Sequence, residues 1–141
     1  MDRIEVAKAL AIKAHSGQVD KAGRPYIEHP LAVSSMLEGE DEKITALLHD
    51  VVEDTDVSLE EIRNLFGDTI ADAVACMTHD KGVDYFTYIK KVKQNPIARK
   101  VKLADLSHNM DLSRLPEVGE GDLKRLEKYK KARMILLESE K

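Results

Sequence analysis

The sequence predicts an all-α fold, a bundle of about seven to eight helices, on three observations. Apolar residues recur at three- and four-residue spacing along most of the chain. Cap-type residues stand where those periodic runs begin, and glycines or prolines stand where they stop. No stretch alternates apolar and polar residues as a half-buried strand does. There is no internal repeat or low-complexity linker, and residues 1–141 are read as a single domain, long enough to bury its own core.

The elements follow in order. Ile4, Ala7, Ala11 and Ala14 share one face of a first helix that Gly17 ends. The stretch GQVDKAGRPY (17–26), with two glycines and a proline, is a loop. Glu28-His29-Pro30 opens a second helix, with Pro30 in the first turn, where its missing N–H costs nothing. It continues through Leu31, Val33, Met36 and Leu37. A third helix is read over 41–52. Ser58 and Glu61 form a capping box for a fourth that stops at Phe66-Gly67. Asp68 is positioned to cap a fifth helix through Cys76, and a sixth covers 85–93. Asn95-Pro96 opens a seventh, which includes VKLADLSHNM (101–110), and the last runs from Gly121 to the end.

Composition narrows the function. Aromatic residues make up 4% of the chain and Trp is absent, which disfavours stacking on single-stranded bases. A net charge of −4 disfavours general nucleic-acid binding, because phosphate backbones demand a basic surface. The lone Cys76 excludes an internal disulfide and fits a reducing compartment. Glu5, Lys8 and Lys13 interrupt the N-terminal apolar run, so no export signal is read there. No segment approaches a membrane span. The expected setting is cytoplasmic.

The informative stretch is LLHDVVEDT (47–55). On a helix, His49 stacks with Glu53 and Asp50 with Asp54, so four ionisable groups line one turn beside Leu47, Leu48, Val51 and Val52. Such groups are costly to desolvate unless a partner satisfies them, and a divalent cation is a suitable partner. Further ligands must come from other segments. His29, at a loop–helix junction, and Asp105, in VKLADLSHNM, complete a set of two nitrogens and two carboxylates with His49 and Asp50. That set leaves positions open for water and substrate. Taken singly, each residue also has an ordinary structural reading: a satisfied core histidine, a hydrogen-bonding aspartate or a solvated acidic face.

Five segments together resemble the HD-superfamily phosphohydrolases, and within them the ppGpp (alarmone) hydrolase domain of Rel/Spo enzymes and their small stand-alone relatives. They are AHSGQ (14–18), GRPYIEHPLAV (23–33), ALLHDVVEDT (46–55), FGDTIADAV (66–74) and VKLADLSHNM (101–110). The resemblance implies an HD-domain helical bundle in which His29, His49, Asp50 and Asp105 hold one divalent ion, typically Mn²⁺. It implies that Glu53 and Asp54 position or activate the attacking water. Lys21 matches a basic residue of the nucleotide pocket and Asn109 a position near the ribose and base. His108, in the same signature, is expected to be structural or to support a ligand. Arg24 and Lys102 are further cations for phosphate charge, with a solvated-surface reading beside that one.

Three departures concern the nucleotide shell. Asp20 precedes Lys21 where the family has a further basic residue. Leu106 follows Asp105, and Asp111 and Leu112 follow the HNM segment, where the family pattern has other residues. The segment MTHDKGVDYFTYI (77–89) is short. His79-Asp80 within it is read as a helix end packed by tyrosines, with a base-stacking loop through Tyr85 or Tyr88 as the alternative. His15 is read as structural. A chain ending at Lys141 leaves no room for a synthetase domain, so synthesis is not expected.

The expected function is therefore Mn²⁺-dependent hydrolysis of a phosphorylated nucleotide, with a ppGpp-like 3′-pyrophosphate first. Alternatives are an HD phosphatase acting on NADPH or a nucleoside phosphate, and a non-catalytic metal or nucleotide sensor. Retention of Glu53 and Asp54 disfavours the sensor, which has no chemical need for them.

Overall fold

The computed structural model describes residues 2–20, 22–111, 113, 115 and 117–138. Among them are nine helices: α1 (Arg3–Ala14), α2 (Glu28–Ser35), α3 (Glu40–Leu48), α4 (Val51–Asp54), α5 (Leu59–Phe66), α6 (Asp68–Met77), α7 (Tyr85–Lys93), α8 (Pro96–Asn109) and α9 (Glu120–Leu137). The one β pairing among the described residues is an isolated antiparallel bridge between Val19 and Pro25. The all-α prediction holds. No described helix is long and apolar enough to cross a membrane.

Capping residues explain most helix starts. Asp2 accepts from the Ile4 N–H, Ser58 from Glu61, Asp84 from Phe86 and Thr87, and Asn95 from Ile97 and Ala98, with Pro96 in the first turn. The predicted Asp68 cap is not formed. Gly67, at φ 95°, closes α5 and serves as the N-cap of α6, and Asp68 instead accepts from Arg63 at 2.6 Å. A backbone with that φ favours glycine, which explains the residue type at the joint.

The predicted third helix is also divided. It stops at Leu48 and resumes as α4, because His49 turns its Nδ1–H onto the Ala46 carbonyl, 2.5 Å away, and competes with the helical ladder. Asp50, at φ −103° and ψ −3°, lies in the bridge region between the two helices. Helix α2 ends at Ser35, with Met36 as its C-cap, short of the predicted Leu37.

Two apolar clusters hold the bundle. One joins α1, α3, α5 and α6 through Ala7, Ile44, Leu48, Ile62, Phe66 and Ile70. The other joins α2, α3, α6, α7, α8 and α9 through Val33, Ala46, Met77, Ile89, Leu106 and Leu136. Each fully buried Leu or Ile stabilises the fold by about 1.5–3 kcal/mol. Helices α3 and α6 send residues into both clusters. Residues 44–48 of α3 are all buried, so this helix is central rather than amphipathic. Its C-terminal end is therefore fixed from all sides, and His49 and Asp50 sit there.

Candidate metal centre

Three helices aim side chains at one point. His29 comes from the first turn of α2, His49 from the end of α3 and Asp105 from α8, and they are 6%, 2% and 3% exposed. One ligand atom of each lies within 4.8 Å of the others. His29 Nε2 is 2.7 Å from Asp105 Oδ1. His49 Nε2 is 3.4 Å from the same oxygen and 3.1 Å from Asp50 Oδ2.

The surrounding bonds fix the ligands' states. A carbonyl oxygen only accepts, so the contact with Ala46 places a proton on His49 Nδ1 and turns Nε2 toward the carboxylates. Although those oxygens are within ion-pair range, Nε2 forms no directed hydrogen bond. A buried ring nitrogen facing two anionic oxygens is an arrangement that a cation, a proton or a metal ion, resolves. The His29 ring is supported from behind by His108, with Nδ1 to Nδ1 at 2.7 Å and the rings stacked 4.9 Å apart. Support of this kind sets a ligand's tautomer and orientation. Two imidazoles and one or two carboxylates form an N/O donor set suited to a divalent ion such as Mn²⁺ or Zn²⁺. The residues present fit such an ion.

Asp105 is the anchor. Lys102 and Asn109 lie three residues before it and four after it on the same helical face. Lys102 Nζ reaches Oδ2 at 2.9 Å, and Asn109 Nδ2 reaches Oδ1 at 3.3 Å. Burial favours a neutral Asp105, but the Lys102 charge, the bond from His29 and the nearby His49 ring outweigh it and hold the carboxyl well below its usual range. Burial likewise opposes a charged Lys102, and Asp105 chiefly holds it well above its usual value. Asp50 follows the same logic: burial acts to raise it, His49 prevails, and its pKa falls to about 2. Burial also acts against a charged His49, yet Asp50 and Asp105 hold it well above its ordinary value. Without a metal ion, the field of these carboxylates draws a proton instead.

The acidic pair lies at the edge of the centre. Glu53 and Asp54, on α4, are exposed, and both carboxyls are shifted upward, first by partial burial and then by the charge of Asp50. The Tyr26 hydroxyl donates to Asp50 Oδ2, and burial and then Asp50 drive its own pKa up.

A cavity of 420 Å³ opens beside the centre. His29, Asp50, Lys102, Asp105 and Asn109 form its polar floor, and Tyr26 and Tyr129 contribute aromatic walls. Arg125 of α9 reaches it while bonded to Asp122. Among the expected substrate residues, Asn109 and Lys102 line the cavity, although Lys102 is committed to Asp105 rather than free for phosphate. Arg24 does not line it; its side chain is 71% exposed and pairs with Glu28 at 3.2 Å. Lys21 and Leu112 lie outside the described residues. Asp20 Oδ1 accepts from the Ala22 and Arg24 amides at 2.9 and 3.0 Å, which braces the hairpin-like loop 18–26.

The 77–89 segment follows its structural reading. His79 donates to the Val83 carbonyl at 2.6 Å and stacks on Tyr88, whose hydroxyl donates to the Met77 carbonyl. Tyr88 is 5% exposed and has no face left for a base. The residues that sequence reasoning gave no role are Tyr26, Arg125 and Tyr129. Tyr26 stood within the PYIEHP segment, next to a recognised ligand. Nothing around Arg125 or Tyr129 distinguishes them from other residues of a charged helix. The Lys102–Asp105 spacing of three was itself a signal for their pairing.

Replacing His108 with Phe removes the support behind His29 while keeping a ring in place. Mn²⁺ affinity is expected to fall roughly 10- to 100-fold with little change in unfolding midpoint, measured by titration calorimetry and thermal melting.

Comparison with known proteins agrees with this geometry. A family profile described as "HD domain" matches residues 7–111. Zebrafish (Danio rerio) guanosine-3′,5′-bis(diphosphate) 3′-pyrophosphohydrolase MESH1 is 39% identical over 125 residues, which span 78% of this chain and 69% of that protein. A GTP pyrophosphokinase of Streptomyces coelicolor is 37% identical over 147 residues, spanning 95% of this chain and 16% of that protein. The bifunctional (p)ppGpp synthase/hydrolase SpoT of Escherichia coli is 33% identical over 77% of this chain and 18% of its own length. The chain thus spans less than a fifth of these two long relatives. Among solved structures, a metazoan ortholog of SpoT described as hydrolysing ppGpp superposes with a TM-score of 0.78 at 27% identity, covering 97% of this chain and 86% of that one.

Proposed function

The chain belongs to the HD-domain family, and from that premise we propose that it hydrolyses the 3′-pyrophosphate of a ppGpp-like nucleotide with the help of one divalent ion, Mn²⁺ by preference. The observation that carries this reading is the buried His29–His49–Asp105 triplet beside a nucleotide-sized cavity that His29 and Asp105 line, with His49 Nε2 directed at carboxylates. The activities of MESH1 and of the metazoan SpoT ortholog favour the same substrate class. A cytoplasmic setting goes with it.

His29, His49 and Asp105 would hold the ion, with Asp50 beside His49 as the fourth donor. When bound, a divalent ion supplies Lewis-acid charge that eases deprotonation of water and offsets phosphate charge. The rest falls to the chain. Lys102 and Asn109 lock the Asp105 carboxylate, and Tyr26 holds Asp50 from the opposite side. Glu53 and Asp54, with carboxyls shifted toward neutrality, are suited to accept a proton from the attacking water. Attack at phosphorus then splits ppGpp and water into GDP and pyrophosphate. Arg125 and Lys102 are the described cations on the cavity wall, and Tyr26 and Tyr129 give a base apolar surface.

A second reading concerns the substrate alone. Asp20, on the cavity wall, is fixed by two backbone amides at a position where the family pattern is basic, which favours a different phosphorylated nucleotide such as NADPH or a nucleoside phosphate.

A nucleotide panel with Mn²⁺, scored for the product released, separates these readings. Pyrophosphate from ppGpp is expected. Orthophosphate from NADPH or a nucleoside phosphate, with ppGpp untouched, moves the substrate to the second reading. No release from any member, with Mn²⁺ bound, overturns the hydrolase reading.

A further inference from the structure

The loop after α1 touches the acidic segment at Asp54 and at Asp50, and hydrogen bonding fixes the orientation of the Gln18 amide. Gln18 Nε2 donates to the Asp54 carbonyl at 3.2 Å, and Gln18 Oε1 lies 3.0 Å from His15 Nδ1. Because a carbonyl only accepts, the Gln18 amide must present its NH₂ to Asp54 and its oxygen to His15. His15 therefore carries its proton on Nδ1. This histidine is 2% exposed, and its ring packs 4.9 Å from that of Tyr26. Tyr26 donates its hydroxyl to Asp50 and its N–H to the Gln18 carbonyl at 2.9 Å. One compact bracket, residues 15–26, thus grips Asp50 by its carboxylate and Asp54 by its backbone.

The grip on Asp54 matters because α4 is four residues long. A helix leaves its last carbonyls without intrahelical partners, and in so short a helix this covers nearly every one. The α4 segment is closed by bonds from Asp54 N to Asp50 O at 2.9 Å and from Thr55 N to Val51 O at 3.1 Å. Gln18 supplies the Asp54 carbonyl with a partner from outside.

We propose that His15 and Gln18 are positioning residues, a strut that sets where Asp54 and its neighbour Glu53 stand relative to the metal centre. The inference rests on the hydrolase reading for its catalytic consequence, while the strut itself is a mechanical claim that needs no substrate. Gln18 touches neither the centre nor the cavity floor, and its effect passes through the α4 backbone.

Two measurements on the full chain test it. In Gln18→Met, which keeps side-chain length but cannot hydrogen-bond, amide exchange at 51–55 is expected to quicken roughly two- to tenfold, with α3 and α8 unchanged. In Gln18→Glu, which can accept from His15 but cannot donate to Asp54, the same segment should loosen. With the substrate found by the panel, Gln18→Met should lower kcat roughly tenfold, leave KM and Mn²⁺ affinity near wild type, and cost less than that factor when added to Asp54→Asn, because only the effect through Glu53 then remains. Unchanged exchange at 51–55, or loosening spread equally over α1 and α3, would overturn the strut. So would kcat losses that simply multiply in the double variant. Inactivity of the metal-loaded wild type counts against the hydrolase reading, and the exchange measurement then decides the strut on its own.

Discussion

His49→Ala is expected to abolish Mn²⁺ binding and turnover together, with activity reduced by at least about a thousandfold, the equivalent of roughly 4 kcal/mol of transition-state stabilisation. The reason is geometric. His49 sits at the fixed end of the buried helix α3, and its Nε2 faces both Asp50 and Asp105, at 3.1 and 3.4 Å. Stability gives a readout that needs no substrate. At a hundredfold excess of ion over its dissociation constant, binding stabilises the native state by about 2.7 kcal/mol, roughly 10 °C for a chain of this size. The wild type should show that rise with Mn²⁺ and lose it in a chelator, whereas His49→Ala should melt at one temperature in both. The sign of the pH effect follows from the raised His49 value. Below that raised pKa the metal-free protein holds a proton on His49, and binding must expel it. Affinity should therefore climb as pH rises toward the His49 pKa and level off above it. Calorimetry in buffers of different ionisation enthalpy counts the released protons. A variant that binds Mn²⁺ at wild-type strength would remove His49 from the ligand set.

How far the site was legible depends on the kind of interaction. The candidate ligands His49 and Asp105 were readable because each is a polar residue inside an apolar run, an anomaly that costs free energy unless it is satisfied, and His29 because it stood at a loop–helix junction in the matching GRPYIEHPLAV segment. Their convergence needed the tertiary fold, in which α2, α3 and α8 pack against one another. The break at His49–Asp50 was hidden, because it comes from a side chain turning onto its own helix, and periodicity carries no trace of that. Lys102 lines the cavity as expected, but its pairing was missed for a related reason. Composition counts it as a cation free for phosphate, whereas its burial ties it to Asp105. Arg24 carried both a phosphate and a solvated-surface reading, and its exposed pair with Glu28 follows the second. The α9 wall was beyond sequence reasoning: only packing brings Arg125 and Tyr129 across from residues more than a dozen positions after Asp105.

Glu53→Gln is the variant expected to separate chemistry from metal binding. Glu53 is four residues beyond His49, exposed, and not among the three groups whose ligand atoms converge. Amide for carboxylate keeps shape and polarity but removes the proton acceptor, and loss of a general base lowers kcat by about 10²- to 10⁴-fold. Mn²⁺ affinity and the metal-induced rise in melting temperature should remain close to wild type. The pH profile supplies a second signature. Partial burial, then Asp50 and Asp54, shift the Glu53 carboxyl upward, so it keeps its proton to higher pH than a free glutamate. Rate should therefore be lost as pH falls through that raised value and recovered above it, and the acidic limb should vanish in Glu53→Gln. Asp54→Asn provides the contrast, since the Asp54 carboxyl is also raised and its backbone is held by Gln18. If Glu53 is the base and Asp54 orients the water, Glu53→Gln loses the acidic limb, whereas Asp54→Asn lowers kcat and retains it. If the limb persists in Glu53→Gln and disappears in Asp54→Asn, the roles are exchanged. Equal loss of Mn²⁺ affinity and kcat in Glu53→Gln would instead make Glu53 a ligand, and the proton would need another acceptor.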